Sequence, residues 1–306
     1  MARTQAKKTI LLLGKNGQVG WELQRALAPF GQLIALDRAG QNGCCGDIGN
    51  LNGLRETIER IKPDVLVNAA GYTAVDQAQR EPELAARLNH QAPAMMAELM
   101  KTHDGCLVHY STDYVFDGSG NQPWKETDSA GPLNVYGATK LAGEQAIQAS
   151  GCQHLIFRTS WVYASRGNNF AKTMLRLAKE RDPLNVIDDQ IGAPTGAELI
   201  ADITAHALRH CEQQPAASGL YHLAATGECS WYDYARYVIE WAKEAGLPLA
   251  VQAVNPIPSE AYPVPAVRPR NSRLNCRALT ETFDLELADW KLGVQRMLQE
   301  TNKEPS

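Results

Sequence analysis

Residues 9–159 alternate short apolar runs with segments of helical periodicity, and this alternation constrains the fold more than any other feature of the chain. The apolar runs are TILLLG, QLIALD, KPDVLVNAAG, GCLVHYS and CQHLIFRTS. Each run is long enough for one strand, and amphipathic helical segments separate the runs. Apolar strands separated by helices are typical of a parallel sheet that is buried on both faces. We therefore predict an α/β fold with a doubly wound parallel sheet.

The rhythm loosens after about Arg166, which predicts a second, smaller α/β lobe. Helical patterns cover 168–181, 196–211, 230–245 and 288–300, and strand patterns cover 184–187, 219–224 and 249–254. Five prolines between 256 and 269 predict an extended surface loop. In the first half, 82–103 is predicted as one long helix that Pro93 can kink. We expect residues 1–166 to form mainly the sheet domain and 167–306 mainly the lobe, with some later segments returning to the sheet.

Composition excludes several classes of protein. The 306 residues carry a formal net charge of -4 and no basic run, so nucleic acid is not an expected partner. No stretch approaches the ~20 apolar residues of a membrane span, and no signal peptide is recognised at the start. The seven cysteines are scattered, odd in number and without a CxxC pair. We interpret them as reduced thiols of a cytoplasmic protein.

A glycine triplet between the first strand and the first helix predicts a dinucleotide site. Gly14 permits a tight turn, Gly17 lets the backbone approach a pyrophosphate at the helix N-terminus, and Gly20 allows close packing of helix on strand. Asp37 closes the second strand, where an acidic residue can bind the adenosine ribose hydroxyls. Asp37 favours NADH, whereas the neighbouring Arg38 can accept the 2'-phosphate of NADPH, so both cofactors stay open.

Tyr136 and Lys140 stand four residues apart in YGATK, which puts both side chains on one face of a helix. Thr112 ends the preceding strand, at the edge where open α/β sheets bind ligands. Carbonyl reduction needs a hydride from the cofactor and a proton for the oxygen. We expect Tyr136 to donate that proton, with its pKa lowered by the Lys140 ammonium, and Thr112 to hold the carbonyl oxygen. His109 on the same strand is interpreted as an interior histidine.

These motifs, together with the NAAG turn after the third strand, resemble those of the extended short-chain dehydrogenase/reductases. Sugar-nucleotide dehydratases of that superfamily carry Thr-Asp-Glu after the fourth strand, whereas this chain has Tyr114 in place of the glutamate. Simple ketone reduction fits better than removal of water. The closer resemblance is to the dTDP-4-dehydrorhamnose reductase family. It rests on GKNGQVGWELQRALAP, NAAGYTAVDQAQREPELA, VHYSTDYVFDG, PLNVYGATKLAGE, IFRTSWVYASRGNNFAKTMLRLAKE, DDQIGAPTGAEL, GLYHLA and RPRNSRLN.

The resemblance implies roles for individual residues. The expected cofactor-binding residues are Gly14, Gly17, Gln18 and Val19 at the pyrophosphate, Asp37, Asp47 and Ile48 at the adenosine half, and Ala69, Ala70, Gly71, Tyr72, Thr73, Tyr110, Tyr136 and Lys140 along the rest. Asp47 and Ile48 are equally compatible with an ordinary turn. Thr112, Asp113 and Trp161 are expected to hold the sugar, although Trp161 is equally compatible with core packing. One of Arg268, Arg270 and Arg273 is expected to contact the diphosphate.

The resemblance also implies the reaction and the assembly. The expected activity is NADPH- or NADH-dependent reduction of the C4 ketone of dTDP-4-dehydro-β-L-rhamnose to dTDP-L-rhamnose, for bacterial surface polysaccharide such as O antigen. Two alternatives stay open: a reductase of another dTDP-4-keto-6-deoxy sugar, and a noncatalytic NADP-binding subunit like the regulatory subunit of animal methionine adenosyltransferase. A homodimer is expected. A structural Mg²⁺ held by Glu22, Glu198 and Glu300 is a further expectation, with surface acids as the alternative.

Overall fold

A computed structural model describes residues 7–302 of the chain. Its central sheet has six parallel strands: β1 Lys8–Leu13, β2 Gly31–Leu36, β3 Val65–Asn68, β4 Cys106–Thr112, β5 Gln153–Thr159 and, much later in the chain, Gly219–His222. The last of these is named β10 because four short strands outside this sheet precede it. The strand order is β10-β5-β4-β3-β1-β2. The predicted doubly wound parallel sheet is therefore confirmed.

The order of the strands reverses next to β1, which pairs with β2 on one side and with β3 on the other. The connections that leave β1 and β3 therefore turn to opposite sides, and a crevice opens at the carboxyl ends of these strands. Doubly wound sheets bind their ligands at such a switch point. The glycine turn follows β1 and the NAAG turn follows β3, so both motifs flank this crevice.

Helices cover both faces of the sheet. In chain order, the α-helices of residues 7–302 are α1 Gln18–Leu27, α2 Leu51–Ile61, α3 Val75–Ala78, α4 Pro82–Ala86, α5 Ala92–Thr102, α6 Val135–Ser150, α7 Phe170–Glu180, α8 Ala197–Gln213, α9 Trp231–Glu244, α10 Arg277–Phe283 and α11 Trp290–Thr301. One core lies between the sheet and α1, α8 and α10, and a second lies between the sheet and α2, α5 and α6. No helix within residues 7–302 has both the length and the apolar character needed to cross a membrane.

The predicted helix over 82–103 is interrupted. A π-helical turn at Arg87–Gln91 separates α4 from α5. Pro93 has no N–H to donate to the carbonyl of Asn89, and α6 approaches that carbonyl closely at Gly143, where an added Cβ would lie 2.1 Å from the oxygen. The interruption therefore adapts the helix to its neighbour, a few residues before the proline at which the sequence predicts a kink.

The smaller lobe is built from α7, α9 and α11 and from very short strands. These are β6 Val162–Tyr163, β7 Leu184–Ile187, β8 Ile191–Gly192, β9 Thr195–Gly196, β11 Cys229–Ser230 and β12 Val254–Ile257. They pair as β6 with β9, β7 with β12 and β8 with β11. The predicted strand over 249–254 is wrong in position, because β12 begins at Val254 and runs into the start of the proline-rich segment. Pro256 fits there because the outer edge of β12 needs no backbone donor.

The boundary between sheet domain and lobe is not a single point in the chain. β10 adds to the sheet beside β5, and α8 and α10 pack on the same face as α1. The segments that return to the sheet were expected from the sequence. The division at residue 166 stays a prediction.

Candidate active site

The glycine turn has the geometry that a dinucleotide site requires. Gly14 has a φ of +84°, and a Cβ there would lie 2.9 Å from the backbone of Ala69 at the end of β3. A Cβ at Gly20 would lie 2.1 Å from the carbonyl oxygen of Gly14, so α1 can approach β1 only with glycine at this position. Gly17 is exposed at the N-terminus of α1, followed by Gln18 and Val19. The open N–H groups of this helix end suit a phosphate.

Asp37 follows β2 beside the glycine turn, where its carboxylate is partly exposed. Its Oδ2 atom accepts a hydrogen bond of 2.9 Å from Asn16 Nδ2 and lies 3.6 Å from Lys15 Nζ. The neighbouring Arg38 is mostly exposed, and its Nε atom lies 3.3 Å from Asp47 Oδ2. Ile48 is buried in the core on the α2 side. Carboxylates and cations thus alternate at the predicted adenosine position, so neither cofactor is excluded.

The segment after β3 is fixed by a buried amide. Asn89 accepts a hydrogen bond from the Tyr72 N–H at 2.8 Å and donates one to the Tyr72 carbonyl at 3.1 Å. Ala69 and Ala70 are partly buried, whereas Gly71 and Thr73 are exposed toward solvent. The Tyr72 side chain itself turns inward, and its phenol donates to Glu81 at 2.6 Å. The backbone of this segment, rather than the Tyr72 phenol, is therefore available to a ligand.

Thr112, Asp113 and Tyr136 meet beyond the carboxyl end of β4. The Thr112 hydroxyl donates to Asp113 Oδ1 at 3.1 Å and lies near the Tyr136 phenol, whose pKa it lowers. Asp113 is buried, and its Oδ2 atom has no hydrogen-bond partner within residues 7–302. Burial raises the pKa of Asp113 to about 6, against the effect of the nearby Ser272 hydroxyl. Ser272 was not predicted, because nothing in its local sequence marks it.

Burial opposes the expected lowering of the Tyr136 pKa, which stays a prediction. Burial raises the pKa of the Tyr136 phenol to about 12. The Lys140 amine is directed elsewhere: Nζ donates to the carbonyl oxygen of Tyr110 and lies 3.2 Å from His109 Nε2. Burial also lowers the pKa of Lys140 to about 8. The Tyr110 phenol lies on the opposite face of the sheet, 2.8 Å from the Thr204 hydroxyl.

A buried ion pair that was not predicted fixes the helix of Tyr136 and Lys140 to the sheet. Arg158 on β5 donates from Nη2 to Glu144 Oε2 at 2.6 Å and from Nε to Oε1 at 3.0 Å. Both side chains are almost fully buried. Glu144 lies one turn after Lys140, and its charge raises the pKa of that lysine against the effect of burial. No local sequence pattern shows that residues 144 and 158 meet.

Trp161 stands where the chain leaves β5, in an unusual backbone conformation. Its φ is +49°, a left-handed value that is rare for a large side chain. The indole stacks on Trp231 with ring centroids 3.6 Å apart, and a Cβ added at Gly192 would lie 2.9 Å from it. The side chain is only half-buried. Trp161 therefore packs on the lobe while its side chain stays partly accessible, and its expected contact with the sugar stays a prediction.

The three arginines of RPRNSRLN all pair with carboxylates. Arg268 binds Asp76 through two bonds of 2.7 and 2.6 Å, Arg270 pairs with Glu260 and Asp189, and Arg273 donates to Glu228 at 2.6 Å. Burial raises the pKa of Tyr114, and Arg268 is close enough to oppose that rise. Because Tyr114 packs edge-on against Tyr136, at 5.6 Å between ring centroids, Arg268 lies beside the predicted catalytic residues.

The three glutamates of the predicted Mg²⁺ site line one cavity of about 340 Å³. They do not form a metal-binding cluster there, since residues 7–302 contain no group of three or more His, Cys, Asp or Glu arranged to hold an ion. Arg296 instead lies 3.3 Å from Glu198 Oε2 and 3.5 Å from Glu300 Oε1, and Glu22 lies 3.7 Å from Arg25. As arranged here, the carboxylates fit guanidinium groups rather than a metal ion. All seven cysteines are free thiols.

Comparison with known proteins agrees with this geometry. A family model described as the RmlD substrate binding domain matches residues 8–303. The chain is 58% identical over 291 residues to the dTDP-4-dehydrorhamnose reductase of Escherichia coli (strain K12), which covers 95% of this chain and 97% of that protein.

Solved structures give the same result. The crystal structure of a dTDP-4-dehydrorhamnose reductase from Clostridium acetobutylicum is 33% identical, with a TM-score of 0.86 over 96% of this chain and 100% of that chain. The enzyme from Bacillus anthracis, solved in complex with NADP, is 32% identical, with a TM-score of 0.84 over the same shares. The family resemblance inferred from the sequence is confirmed, and the chain belongs to the dTDP-4-dehydrorhamnose reductases.

Proposed function

We propose that this chain reduces the C4 ketone of dTDP-4-dehydro-β-L-rhamnose to dTDP-L-rhamnose with NADPH or NADH. The observation that carries the proposal is the meeting of Thr112 and Tyr136 beside the switch point of the sheet, with Lys140 buried one helical turn after Tyr136. A hydroxyl and a phenol stand together at the edge where the glycine turn would hold a dinucleotide. The function expected from the sequence is thus the one that the site supports.

The residues around the glycine turn fit a dinucleotide. The exposed Gly17 and the free N–H groups of α1 suit its pyrophosphate, and Asp37 with Lys15 and Arg38 lies where its adenosine ribose would reach. When bound, the reduced nicotinamide supplies the hydride. The proposed contacts also include Asp47, Ile48 and the backbone of 69–73. Lys15 and Arg38 place two cations beside the ribose position, which favours NADPH, as bound to the relative from Bacillus anthracis.

Tyr136 is the proposed proton donor to the ketone oxygen. In ketone reduction the oxygen gains negative charge, so a neutral phenol within hydrogen-bond reach is the form required. Burial keeps the Tyr136 phenol protonated, with a pKa of about 12. Thr112 orients the same oxygen through its hydroxyl, and Lys140 stabilises the phenolate that remains after proton transfer.

Asp113, Trp161 and Arg268 are the proposed contacts to the dTDP-sugar. The Asp113 Oδ2 atom is buried without a partner, and a sugar hydroxyl is a donor that would satisfy it. The half-buried Trp161 offers its ring to the sugar. Among the three candidate arginines, Arg268 is the one beside Tyr114 and Tyr136, so we assign the diphosphate contact to it.

The homodimer, the cytoplasmic location and the magnesium ion stay predictions. For magnesium, the support is that Glu22, Glu198 and Glu300 line one cavity, and the ion pairs to Arg25 and Arg296 oppose it. A noncatalytic regulatory role is disfavoured because a buried lysine and phenol are retained at the carboxyl end of β4. Another dTDP-4-keto-6-deoxy sugar as substrate is the alternative that the experiment below separates.

The test is steady-state kinetics on dTDP-4-dehydrorhamnose with NADPH and NADH in parallel, compared with other dTDP-4-keto-6-deoxy sugars. With deuterium at C4 of the reduced nicotinamide, deuterium should arrive at C4 of dTDP-rhamnose. Tyr136→Phe should lower kcat by about 10²- to 10⁴-fold, the usual contribution of a general acid, while the NADPH dissociation constant changes little.

Tyr237→Phe is the matched control, because this phenol lies in the lobe, where it donates a hydrogen bond of 3.3 Å to the Lys291 carbonyl. Its kcat should stay within about twofold of the parent value. Absence of turnover by the parent protein with every keto sugar would refute the proposal and favour a regulatory subunit.

A further inference from the structure

Behind Lys140 lies a short buried row of polar side chains that the reaction does not obviously need. His109 on β4 contacts Lys140 through Nε2 at 3.2 Å and Asn68 on β3 through Nδ1 at 3.1 Å. His109 and Asn68 are each 1% exposed. The row therefore connects the lysine to the middle of the sheet without contact to solvent.

The orientation of the Asn68 amide decides which nitrogen of His109 carries the proton. Asn68 Oδ1 accepts a hydrogen bond from the Ala70 N–H at 3.2 Å, so its NH₂ group faces His109 Nδ1. Nδ1 must then be the acceptor, and a neutral imidazole carries its single proton on Nε2. Burial keeps this ring neutral, because it lowers the pKa of His109 well below the usual value.

The proton on His109 Nε2 points at the Lys140 amine, which has consequences for the charge of the lysine. An ammonium group has only donors and would face another donor at 3.2 Å. A neutral amine has a lone pair that accepts from Nε2–H while its own N–H donates to the Tyr110 carbonyl. The arrangement of Asn68, His109 and Tyr110 is complementary to the neutral amine.

We propose that Asn68 and His109 are positioning residues that stabilise the neutral form of Lys140 and thereby set the alkaline limb of the pH dependence of reduction. The proposal rests on the function proposed above, in which the Lys140 ammonium supports the Tyr136 phenolate. Among the other charged groups facing this lysine, Glu144 on α6 favours the ammonium, and Arg158 on β5 is already paired with Glu144. Burial shifts the pKa of Lys140 in the same direction, to about 8.

A lysine that changes readily between its ammonium and neutral forms suits a proton-transfer site. The reaction consumes one proton per turnover, and the Tyr136 phenolate must be neutralised after each transfer. A lysine with the ordinary pKa of about 10.4 would release its proton reluctantly near neutral pH. A lysine whose neutral form is stabilised exchanges protons more readily under the same conditions, because proton transfer is most efficient when the pKa lies near the working pH.

Asn68→Asp reverses the polarity of the row at almost constant shape. One carboxylate oxygen still accepts a hydrogen bond from the Ala70 N–H, and the other accepts a hydrogen bond from His109 Nδ1–H. Nε2 then becomes an acceptor that favours the ammonium of Lys140. The alkaline limb of kcat should move upward by about one pH unit or more, with little change in KM.

His109→Leu separates this effect from the direct field of the new carboxylate. If Asn68 acts on Lys140 through the imidazole, Asn68→Asp should shift the alkaline limb of kcat in the His109→Leu background by less than half the shift that it causes in the wild-type background. A limb that stays in place in the single variant, or a shift of equal size in both backgrounds, would overturn the proposal. Thermal unfolding and NADPH binding, measured on each variant, check that the fold and the cofactor site are retained.

The tautomer can also be measured on the unmodified protein, so the proposal does not depend on a variant that folds or turns over. Nitrogen-15 NMR of protein labelled in its histidines, with the His109 signals assigned from a His109→Gln sample, distinguishes the two ring nitrogens. We expect His109 to be protonated at Nε2. Protonation at Nδ1 would refute the polarity argued here, whether or not the protein reduces the keto sugar.

Discussion

The sheet region and the carboxyl-terminal lobe hold the residues proposed for the site in different ways. In the sheet region, Gly14, Ala69 and Thr112 are placed by neighbouring strand ends, and the backbone fixes them. In the lobe and the segment after it, these residues rest on strands of two to four residues and on ion pairs such as Arg268–Asp76, with one partner partly exposed. The residues of the sheet region are thus placed by backbone pairing, and those of the lobe side mainly by side-chain contacts.

The ion pairs of the two regions differ accordingly. Glu144–Arg158 on the sheet side is buried, whereas each of the three arginines at 268–273 has an exposed or partly exposed partner. A buried pair is costly to break because the remaining charge cannot reach water, whereas an exposed pair is replaced by solvent. We therefore expect damage to the sheet side to appear in stability and damage to the lobe side to appear in substrate binding.

The largest stability effect is expected for Glu144→Gln. It leaves the buried Arg158 guanidinium without a counter-charge and should lower the free energy of unfolding by about 3–5 kcal/mol. Denaturant unfolding measures this. Glu240→Gln is the matched control, since it breaks an exposed pair with Arg236 of 2.7 Å within one helix and should cost less than about 0.5 kcal/mol. Equal effects of the two changes would contradict the comparison.

A smaller effect of opposite sign is expected where the two regions meet, for Asp113→Asn. The pKa of Asp113 in the folded protein is about 6, whereas the pKa of an unfolded aspartate is near its ordinary value of 3.8. The stability from the protonated form is therefore complete below that lower value and is lost as the pH rises through about 6. At about pH 7.5 the amide should stabilise the fold by about 1–3 kcal/mol.

The comparison of wild type and Asp113→Asn by denaturant unfolding should give a difference that shrinks at acid pH, where the wild-type carboxyl is protonated as well. The same substitution should raise KM for the keto sugar. A carboxylate accepts a stronger hydrogen bond from a sugar hydroxyl than an uncharged amide does. A stability gain that is independent of pH would show that the pKa of Asp113 is the same in the folded and unfolded protein, which would contradict its elevation by burial.

The smallest effect is expected for Asp76→Ala in the ion pair that holds the segment of Arg268. Asp76 also accepts a hydrogen bond from the Ala266 N–H at 3.1 Å, so its loss frees the segment as well as the arginine. Unfolding should change by less than about 1 kcal/mol, and KM for the dTDP-sugar should rise by about fivefold at constant kcat. Glu260→Ala, which removes one of the two carboxylates paired with Arg270, should leave KM unchanged. A change in kcat as large as the change in KM would contradict the assignment of the diphosphate contact to Arg268.

The same contrast explains what the sequence could predict. The glycine turn, Thr112 and Tyr136 are recognised because strand, turn and helix signals lie within a few residues of them. The Asp76–Arg268 pair joins residues 192 positions apart, and Ser272 approaches Asp113 from a segment without regular structure. Such contacts arise only from the folded path of the chain. The rise of the Tyr136 pKa by burial was not predicted for a similar reason, because burial depends on surroundings that the YGATK motif does not contain.

The stacked indoles of Trp161 and Trp231 provide an intrinsic spectroscopic probe of the lobe beside the proposed sugar site. Two chromophores with ring centroids 3.6 Å apart and planes inclined by 13° couple their electronic transitions. Such a dimer produces a paired band of opposite signs in circular dichroism, which isolated tryptophans lack. A sugar that tilts or parts the rings should change this band, so ligand arrival at the lobe can be followed without a label and separately from dinucleotide binding.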